Sequence, residues 1–158
     1  MSPRLEVVTP ANVHDACRLR IRPEQERFVA PVAISLAEAY ADPDHAWPRL
    51  IYEGDELVGF VMAGFIRGHE LLDSTLWRLN VAASAQGRGY GRFGVEAAAE
   101  EARRRGRSIL SVGYARGERS PEGFYLRLGF KATGRHIDDL YEAVASLDVL
   151  LATAPAAE

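Results

Sequence analysis

The sequence has a single cysteine and no long apolar run. Cys17 has no second cysteine to pair with inside the chain, which excludes an internal disulfide and favours a reducing compartment. No stretch approaches the roughly 18 apolar residues that a membrane-spanning helix needs. Residues 1–10 also lack the apolar segment of a signal peptide. We therefore expect a cytoplasmic protein that is not associated with a membrane.

The 158 residues, 47% of them hydrophobic and 26% charged, suit a single globular domain. We predict that residues 1–152 form this domain and that residues 153–158 are a flexible tail. The net charge of −3 is unevenly divided, because residues 1–80 and 118–158 carry −4 and −3 while residues 81–117 carry +4. This pattern indicates an anionic ligand near the middle of the chain and a cationic one near its flanks, unless it is ordinary scatter of surface charge.

Hydrophobic periodicity predicts elements in the order β α α β β β α β α β β. The predicted strands cover residues 4–8, 49–53, 56–65, 75–81, 108–114, 130–135 and 141–151. The predicted helices begin at a Thr9-Pro10 cap, at a capping box formed by Ser35 and Glu38, near Tyr90 and near Ser120. This order predicts an α/β protein with helices on the faces of a mixed sheet.

A glycine-rich loop follows the predicted strand at 75–81 and leads into an alanine-rich helix. It contains Gln86-Gly87-Arg88-Gly89-Tyr90-Gly91. Glycines allow close approach of the backbone, and the unpaired N–H groups at the start of a helix bind phosphate. The loop lacks the lysine of a P-loop, and it lies in mid-chain rather than in an opening dinucleotide-binding unit. We therefore expect a phosphate-containing ligand of another class.

The segment VAASAQGRGYG resembles motif A of the GNAT N-acetyltransferase superfamily, with Gln86, Gly89 and Gly91 at its fixed positions. The segment FYLRLGF at 124–130 is similar to a second element of that superfamily, and the order of elements also agrees. The resemblance covers residues 4–150. It implies a mostly antiparallel sheet of six to seven strands that is splayed at its centre.

The resemblance also implies acetyl-CoA as the cosubstrate, with no metal. Pyrophosphate would bind the amides of the glycine loop, and pantetheine would pair with the backbone of the preceding strand. The implied acetyl-CoA residues are Leu79, Asn80, Val81, Gln86, Gly87, Arg88, Gly89, Tyr90, Gly91 and Arg92. Tyr125 occupies the place of the family's catalytic tyrosine, which protonates the leaving thiolate.

The proton acceptor is less evident from the sequence. Many relatives carry a carboxylate on the strand before the loop, but that strand here reads Trp77-Arg78-Leu79-Asn80. His69, Glu70 and Asp73 lie upstream and are interpreted as turn residues, so we expect the proton to leave through water. Glu118 stands where many relatives have an asparagine that contacts CoA, which argues against that contact.

Residues 21–40 resemble the matching segment of bacterial spermine/spermidine acetyltransferases, in a Gln-Glu-x-Phe-Val-Ala run followed by Ser-Leu-Ala-x-Ala-Tyr. Carboxylates and aromatic faces suit a polyamine. The candidate acceptor-binding residues are Glu24, Gln25, Phe28, Tyr40 and Trp77. The alternative acceptor is another amine, such as an aminoglycoside-type antibiotic, an amino acid or a protein amine.

Two other classes of function are weighed against catalysis. A catalytically silent CoA-binding module would fit the missing strand carboxylate, but the intact Tyr125 argues against it. Nucleic-acid binding through Arg103–Arg107 is disfavoured by a pI near 5.8 and by the absence of interleaved aromatics. We expect a small-molecule partner and a homodimer, with no nucleic acid.

Overall fold

The computed structural model describes residues 2–152, and the expected tail at 153–158 lies outside this range. The strands are β1 Arg4–Glu6, β2 Ala46–Glu53, β3 Glu56–Gly64, β4 Thr75–Val81, β5 Ile109–Ala115, β6 Lys131–Ile137 and β7 Leu140–Ser146. The α-helices are α1 Val13–Arg18, α2 Val32–Ala41, α3 Tyr90–Arg104, α4 Glu122–Leu128 and α5 Leu147–Leu150. A short 3-10 helix at Pro23–Gln25 joins α1 to the segment before α2.

The strands form one sheet in the order β1-β2-β3-β4-β5-β7-β6. Within residues 2–152, β4 and β5 run parallel and the other neighbours run antiparallel. The two parallel strands are connected through α3, since a parallel pair needs a long crossover. The expectation of a mixed, mostly antiparallel sheet with helices is confirmed.

Alternating side chains on β2 and β3 divide the core between the two faces of the sheet. Leu50, Phe60 and Met62 pack towards α1 and α2, while Ile51 and Val61 pack towards α3. All five are fully buried, as the period of two along a strand predicts when both faces are covered. The sheet is therefore packed between helices on both of its faces.

Helix α3 lies close to the sheet because most residues of its inner face are small. Ala98, Ala99 and Ala102 are fully buried. A Cβ added at Gly94 would stand 2.7 Å from Leu79 Cδ1, so the helix approaches β4 as closely as a glycine allows. The position of the glycine loop that precedes α3 is thus fixed by tight packing.

Two predicted helix starts are wrong. α1 begins at Val13 rather than at Thr9-Pro10, because Thr9 and Asn12 form a turn through a 2.8 Å bond from Thr9 N to Asn12 Oδ1. α2 begins at Val32, after Pro31, so Ser35 lies inside the helix and forms no capping box. The Glu38 side chain instead forms an ion pair with Arg78 at 3.0 Å.

The last predicted strand is also partly wrong. β7 ends at Ser146, and residues 147–150 form α5 instead of continuing the strand to 151. Ser146 caps this helix by accepting a bond from Val149 N at 3.2 Å. A serine at this position favours a helix start, but the surrounding apolar residues also suit a strand, so the sequence predicted a strand.

Candidate active site

The sheet opens between β4 and β5. Their pairing is limited to Thr75 with Ser111 and Leu76 with Val112. Beyond these pairs the strands diverge, as the resemblance implied. Two cavities lie along the divergent part, and their walls include residues of β4.

The cavities share one wall. The first has a volume of about 460 Å³ and extends along the glycine loop and α4, and we call it the donor cavity. The second has a volume of about 660 Å³ and lies between β4, β5 and the loop before α2, and we call it the acceptor cavity. The residues that line both are Phe28, Val29, Leu79, Pro121 and Tyr125. A group bound in one cavity can therefore meet a group bound in the other.

The glycine loop forms one end of the donor cavity. Gly87 and Gly89 have φ values of 80° and 90°, in the left-handed region that glycine adopts without steric strain. Gln86 anchors the loop by donating to the Val81 carbonyl at 3.0 Å and by bonding to Gln25. The start of α3 consequently presents unpaired N–H groups at the cavity.

Most of the residues expected at the acetyl-CoA site line the donor cavity. They are Leu79, Val81, Gln86, Gly87, Gly89, Tyr90, Gly91 and Arg92. Arg119 and Arg127 also line it, and none of its described lining residues is acidic. This surface suits an anionic ligand.

The side chains of two expected cofactor residues point elsewhere. Arg88 reaches Glu53 at 3.3 Å and Glu56 at 3.7 Å, and it also bonds to the Tyr90 hydroxyl at 3.0 Å. Asn80 is buried and donates to the Ala30 carbonyl at 3.1 Å. Neither residue is among those that line the donor cavity, and the role of both in binding acetyl-CoA stays a prediction.

Tyr125 stands where the two cavities meet. It lies in α4, and its ring packs against Tyr114, Phe124 and Phe130 at centroid distances of 6.1, 5.2 and 5.7 Å. Burial among these rings disfavours the phenolate and raises the pKa of Tyr125 well above its ordinary value. At neutral pH the side chain is a phenol, which can donate a proton.

The structure separates the five candidate acceptor residues. Phe28 and Trp77 line the acceptor cavity. Gln25 lines the donor cavity and bonds to Gln86. Glu24 pairs with Arg119 at 3.7 Å, outside both cavities, and Tyr40 is 90% exposed and also lies outside them. Glu24 and Tyr40 are not among the residues that line the acceptor cavity, and their part in acceptor binding stays a prediction.

Several lining residues of the acceptor cavity are not evident from the sequence. Glu142 enters it from β7, and Arg78 lies on β4 beside Trp77. Leu71, Leu72 and Leu140 add an apolar wall. Glu142 and Leu140 come near β4 only because β7 pairs with β5, a long-range contact that local sequence patterns do not encode.

The upstream candidates for a base are engaged in loop structure. His69 lines the acceptor cavity, but its Nδ1 accepts bonds from Leu71 N at 3.1 Å and Leu72 N at 3.0 Å. A neutral imidazole in this arrangement carries its proton on Nε2 and has no free lone pair. Asp73 accepts from Gly68 N at 2.7 Å and pairs with Arg107 at 2.9 Å. Neither is arranged to take a proton from a ligand.

The arginine run at the end of α3 is paired with carboxylates. Arg103 contacts Asp148 at 2.7 Å, and Arg104 and Arg105 contact Glu101 at 3.1 and 2.9 Å. These pairs indicate a structural role for the run. Among residues 2–152 there is no helix long and apolar enough to cross a membrane, and no group of three or more side chains that could hold a metal ion.

Comparison with known proteins agrees with this geometry. The model of the Acetyltransferase (GNAT) family matches residues 13–130. No curated protein matches the chain significantly. The solved structures share the fold over nearly the whole chain, as three examples show.

An acetyltransferase from Thermus thermophilus has a TM-score of 0.70 at 23% identity and covers 92% of this chain and 97% of its own. The Salmonella typhimurium protein yncA, determined with its cofactor acetyl-CoA, has a TM-score of 0.66 at 20% identity, with 100% of both chains covered. The spermidine N-acetyltransferase of Vibrio cholerae, in complex with CoA and spermine, has a TM-score of 0.69 at 12% identity and covers 94% and 98%. At these identities the likeness shows the fold alone.

Proposed function

The chain belongs to the GNAT acetyltransferase family and is an N-acetyltransferase, and we propose that it transfers the acetyl group of acetyl-CoA to a primary amine of a small molecule. The observation that carries this proposal is the meeting of two cavities at Tyr125. One cavity has a cationic wall and a glycine loop, which suit a phosphorylated donor. The other, with a volume of about 660 Å³, is large enough for a separate acceptor.

The donor cavity supports acetyl-CoA as the acetyl source. Pyrophosphate would lie at the start of α3, where unpaired N–H groups and the helix dipole favour negative charge. Arg92, Arg119 and Arg127 line the same cavity and add positive charge. Leu79 and Val81, at the divergent end of β4, border the part of the cavity that leads to Tyr125 and suit the pantetheine arm.

The reaction would proceed by direct attack while both substrates are bound. The amine nitrogen, after losing a proton, forms a bond to the thioester carbon, and the carbon–sulfur bond breaks. Tyr125, which its raised pKa keeps protonated, donates its phenolic proton to the departing sulfur. The second proton that the nitrogen loses as the amide forms restores the Tyr125 phenol, so that CoA leaves as the thiol. We expect the amine proton to leave through water, because loop contacts hold His69 and Asp73, and Glu38 and Glu142 are paired with arginines.

Among small amines, the sequence resemblance favours a polyamine such as spermidine or spermine. Phe28 and Trp77 supply aromatic faces in the acceptor cavity, and Glu26, Glu38 and Glu142 supply carboxylates. Two arginines line the same cavity, so acceptors of other charge must be tested beside polyamines. A homodimer and a cytoplasmic location remain predictions.

The test is acetyl transfer by the purified protein over a panel of amines. Spermidine, spermine, an aminoglycoside, amino acids and simple alkylamines are each incubated with acetyl-CoA, and CoA release and product mass are measured. We expect acetylation of at least one small primary amine. Acetyl-CoA binding without turnover of any amine would instead identify a silent CoA-binding module.

A further inference from the structure

The acceptor cavity carries charges of both signs, with three carboxylates and two guanidinium groups. Glu26, Glu38 and Glu142 line it, and so do the guanidinium groups of Arg27 and Arg78. A cavity built for a polyamine needs carboxylates that are free to pair with ammonium groups. Which acceptor the cavity fits therefore depends on which of these carboxylates lack a protein partner.

Two of the three carboxylates already have protein partners. Glu38 lies 3.0 Å from Arg78 Nη2. Glu142 is nearly buried, accepts a bond from Thr133 Oγ1 at 3.0 Å and lies 3.4 Å from Arg135 Nε. An ammonium group at either site would have to compete with a guanidinium. Glu26 is the third carboxylate, and its residue is exposed at the cavity mouth.

Arg78 retains hydrogen-bonding capacity beside the reaction centre. It directly precedes Leu79, which lines both cavities. A guanidinium carries five N–H donors. Within residues 2–152, Nη1 donates to the Trp77 carbonyl at 3.1 Å and Nη2 to Glu38, while Nε is buried without a partner. The side chain is 23% exposed, so the unused donors of its terminal nitrogens can be reached from the cavity.

The rest of the wall suits a small apolar group. Leu71, Leu72 and Leu140 face the cavity together with Trp77. An acceptor with an apolar body would be held there by removal of apolar surface from water. The leucine side chains offer no partner for the ammonium groups of a polyamine.

We infer that the preferred acceptor is a primary amine that also carries a carboxylate, such as an amino acid with an apolar side chain, and that Arg78 binds this carboxylate. The inference rests on the proposed acetyl transfer and names its substrate class. Arg78 and the carboxylate form a charge-assisted contact, and the amine remains free to reach the thioester near Tyr125. Spermidine lacks the group that Arg78 would bind.

The experiment compares matched acceptors. Leucine, methionine and phenylalanine are each tested beside the amine that lacks the carboxylate, and spermidine is included, all at saturating acetyl-CoA. For the wild-type protein we expect a higher kcat/KM with at least one amino acid than with its decarboxylated counterpart or with spermidine. In Arg78→Gln we expect that preference to fall about 10- to 100-fold, mainly through KM, with little change for the decarboxylated amine.

Two further variants separate recognition from structural damage. The pair Arg78→Gln with Glu38→Gln removes both partners of the ion pair and should show the same loss of preference. Arg104→Gln changes an exposed arginine of α3 and should leave the preference unchanged. Thermal unfolding and acetyl-CoA affinity report whether each variant is folded.

The outcomes distinguish the two proposals. If spermidine or the decarboxylated amines are the better substrates, or if Arg78→Gln slows all acceptors equally, the inference is overturned while acetyl transfer stands. If no amine is acetylated although acetyl-CoA binds, the proposed function fails with it.

Discussion

Tyr125 combines a reachable hydroxyl with a ring that is held on three sides. The packing of Tyr114, Phe124 and Phe130 fixes its orientation, and Pro121 and Leu79 border the same junction of the cavities. Removing the hydroxyl should thus affect chemistry and leave the packing intact. Few other side chains here allow such a clean separation.

Tyr125→Phe should lower kcat about 100-fold or more, which is the usual contribution of a positioned general acid. The KM for acetyl-CoA and the unfolding temperature should change little, since the ring is retained. Steady-state kinetics and thermal unfolding measure both. Tyr141→Phe is the matched control. Tyr141 lies on β7, its ring packs beside Arg116, and it lines neither cavity. Equal losses in the two variants would contradict a catalytic role for Tyr125.

The dependence of the rate on pH follows from the same residue. Because burial raises the pKa of Tyr125, its acid form persists above the ordinary phenol value of about 10. The rate of the wild-type protein should therefore rise from pH 7 to 9 as the acceptor amine loses its proton. A fall over this range that disappears in Tyr125→Phe would show that the tyrosine titrates lower.

Site residues that lie in local motifs could be predicted from the sequence. Residues that come together only because distant strands pair could not. The glycine loop and Tyr125 lie where two short motifs indicate. Glu38 was assigned to a cap, whereas its partner Arg78 lies 40 residues away. Tyr40 and Glu24 were predicted from their sequence environment, but the fold places both outside the two cavities.

At the scale of elements, helix α3 and strand β4 are closely packed at Gly94. Gly94 faces Leu79, Ile51 and Val61, with distances from an added Cβ of 2.7, 3.4 and 3.6 Å. Any side chain there must push Leu79, which also lines the donor cavity. Packing of the helix and shape of the cavity are therefore coupled.

Gly94→Val should lower the free energy of unfolding by about 1–3 kcal/mol, as overpacking of a core does. It should also weaken acetyl-CoA binding through displacement of Leu79. Glu100→Val is the control, because it places the same residue type at an exposed position of the same helix. Chemical denaturation and calorimetric titration compare the two variants. Equal stability would mean that α3 can move away from β4 without loss.

The order of elements followed from periodicity, because strands with alternating burial and long amphipathic helices carry strong local signals. The ends of elements did not. Ser35 has the sequence of a capping box, but Pro31 starts α2 a turn earlier and Ser35 is buried inside the helix. At 147–150 the apolar residues suit a strand equally well, and the cap at Ser146 is the local signal that favours a helix.

At the scale of the whole molecule, the sheet consists of two parts joined by two residue pairs. β1 to β4 form one part and β5 to β7 the other, and the donor cavity lies between β4 and α4, which precedes β6. A ligand in that cavity contacts both parts. Binding should hence stabilise the entire fold.

CoA at about 100 times its Kd should raise the free energy of unfolding by about 2.7 kcal/mol. For a chain of this size the shift in unfolding temperature is about 5–10 °C. Thermal unfolding with and without CoA measures it, with adenosine at the same concentration as the control, since adenosine lacks the pyrophosphate and the pantetheine arm. An equal shift with adenosine would contradict binding along the full donor cavity.

The shared wall of the two cavities has a consequence for divergence of the protein. Substitution of Phe28, Leu79 or Tyr125 alters the donor and acceptor sites together, so such changes are constrained by the need to keep acetyl-CoA in place. Leu71, Leu72 and Leu140 line the acceptor cavity alone. Over evolution, substitutions at these three leucines can therefore change which amine is accepted without altering the donor site.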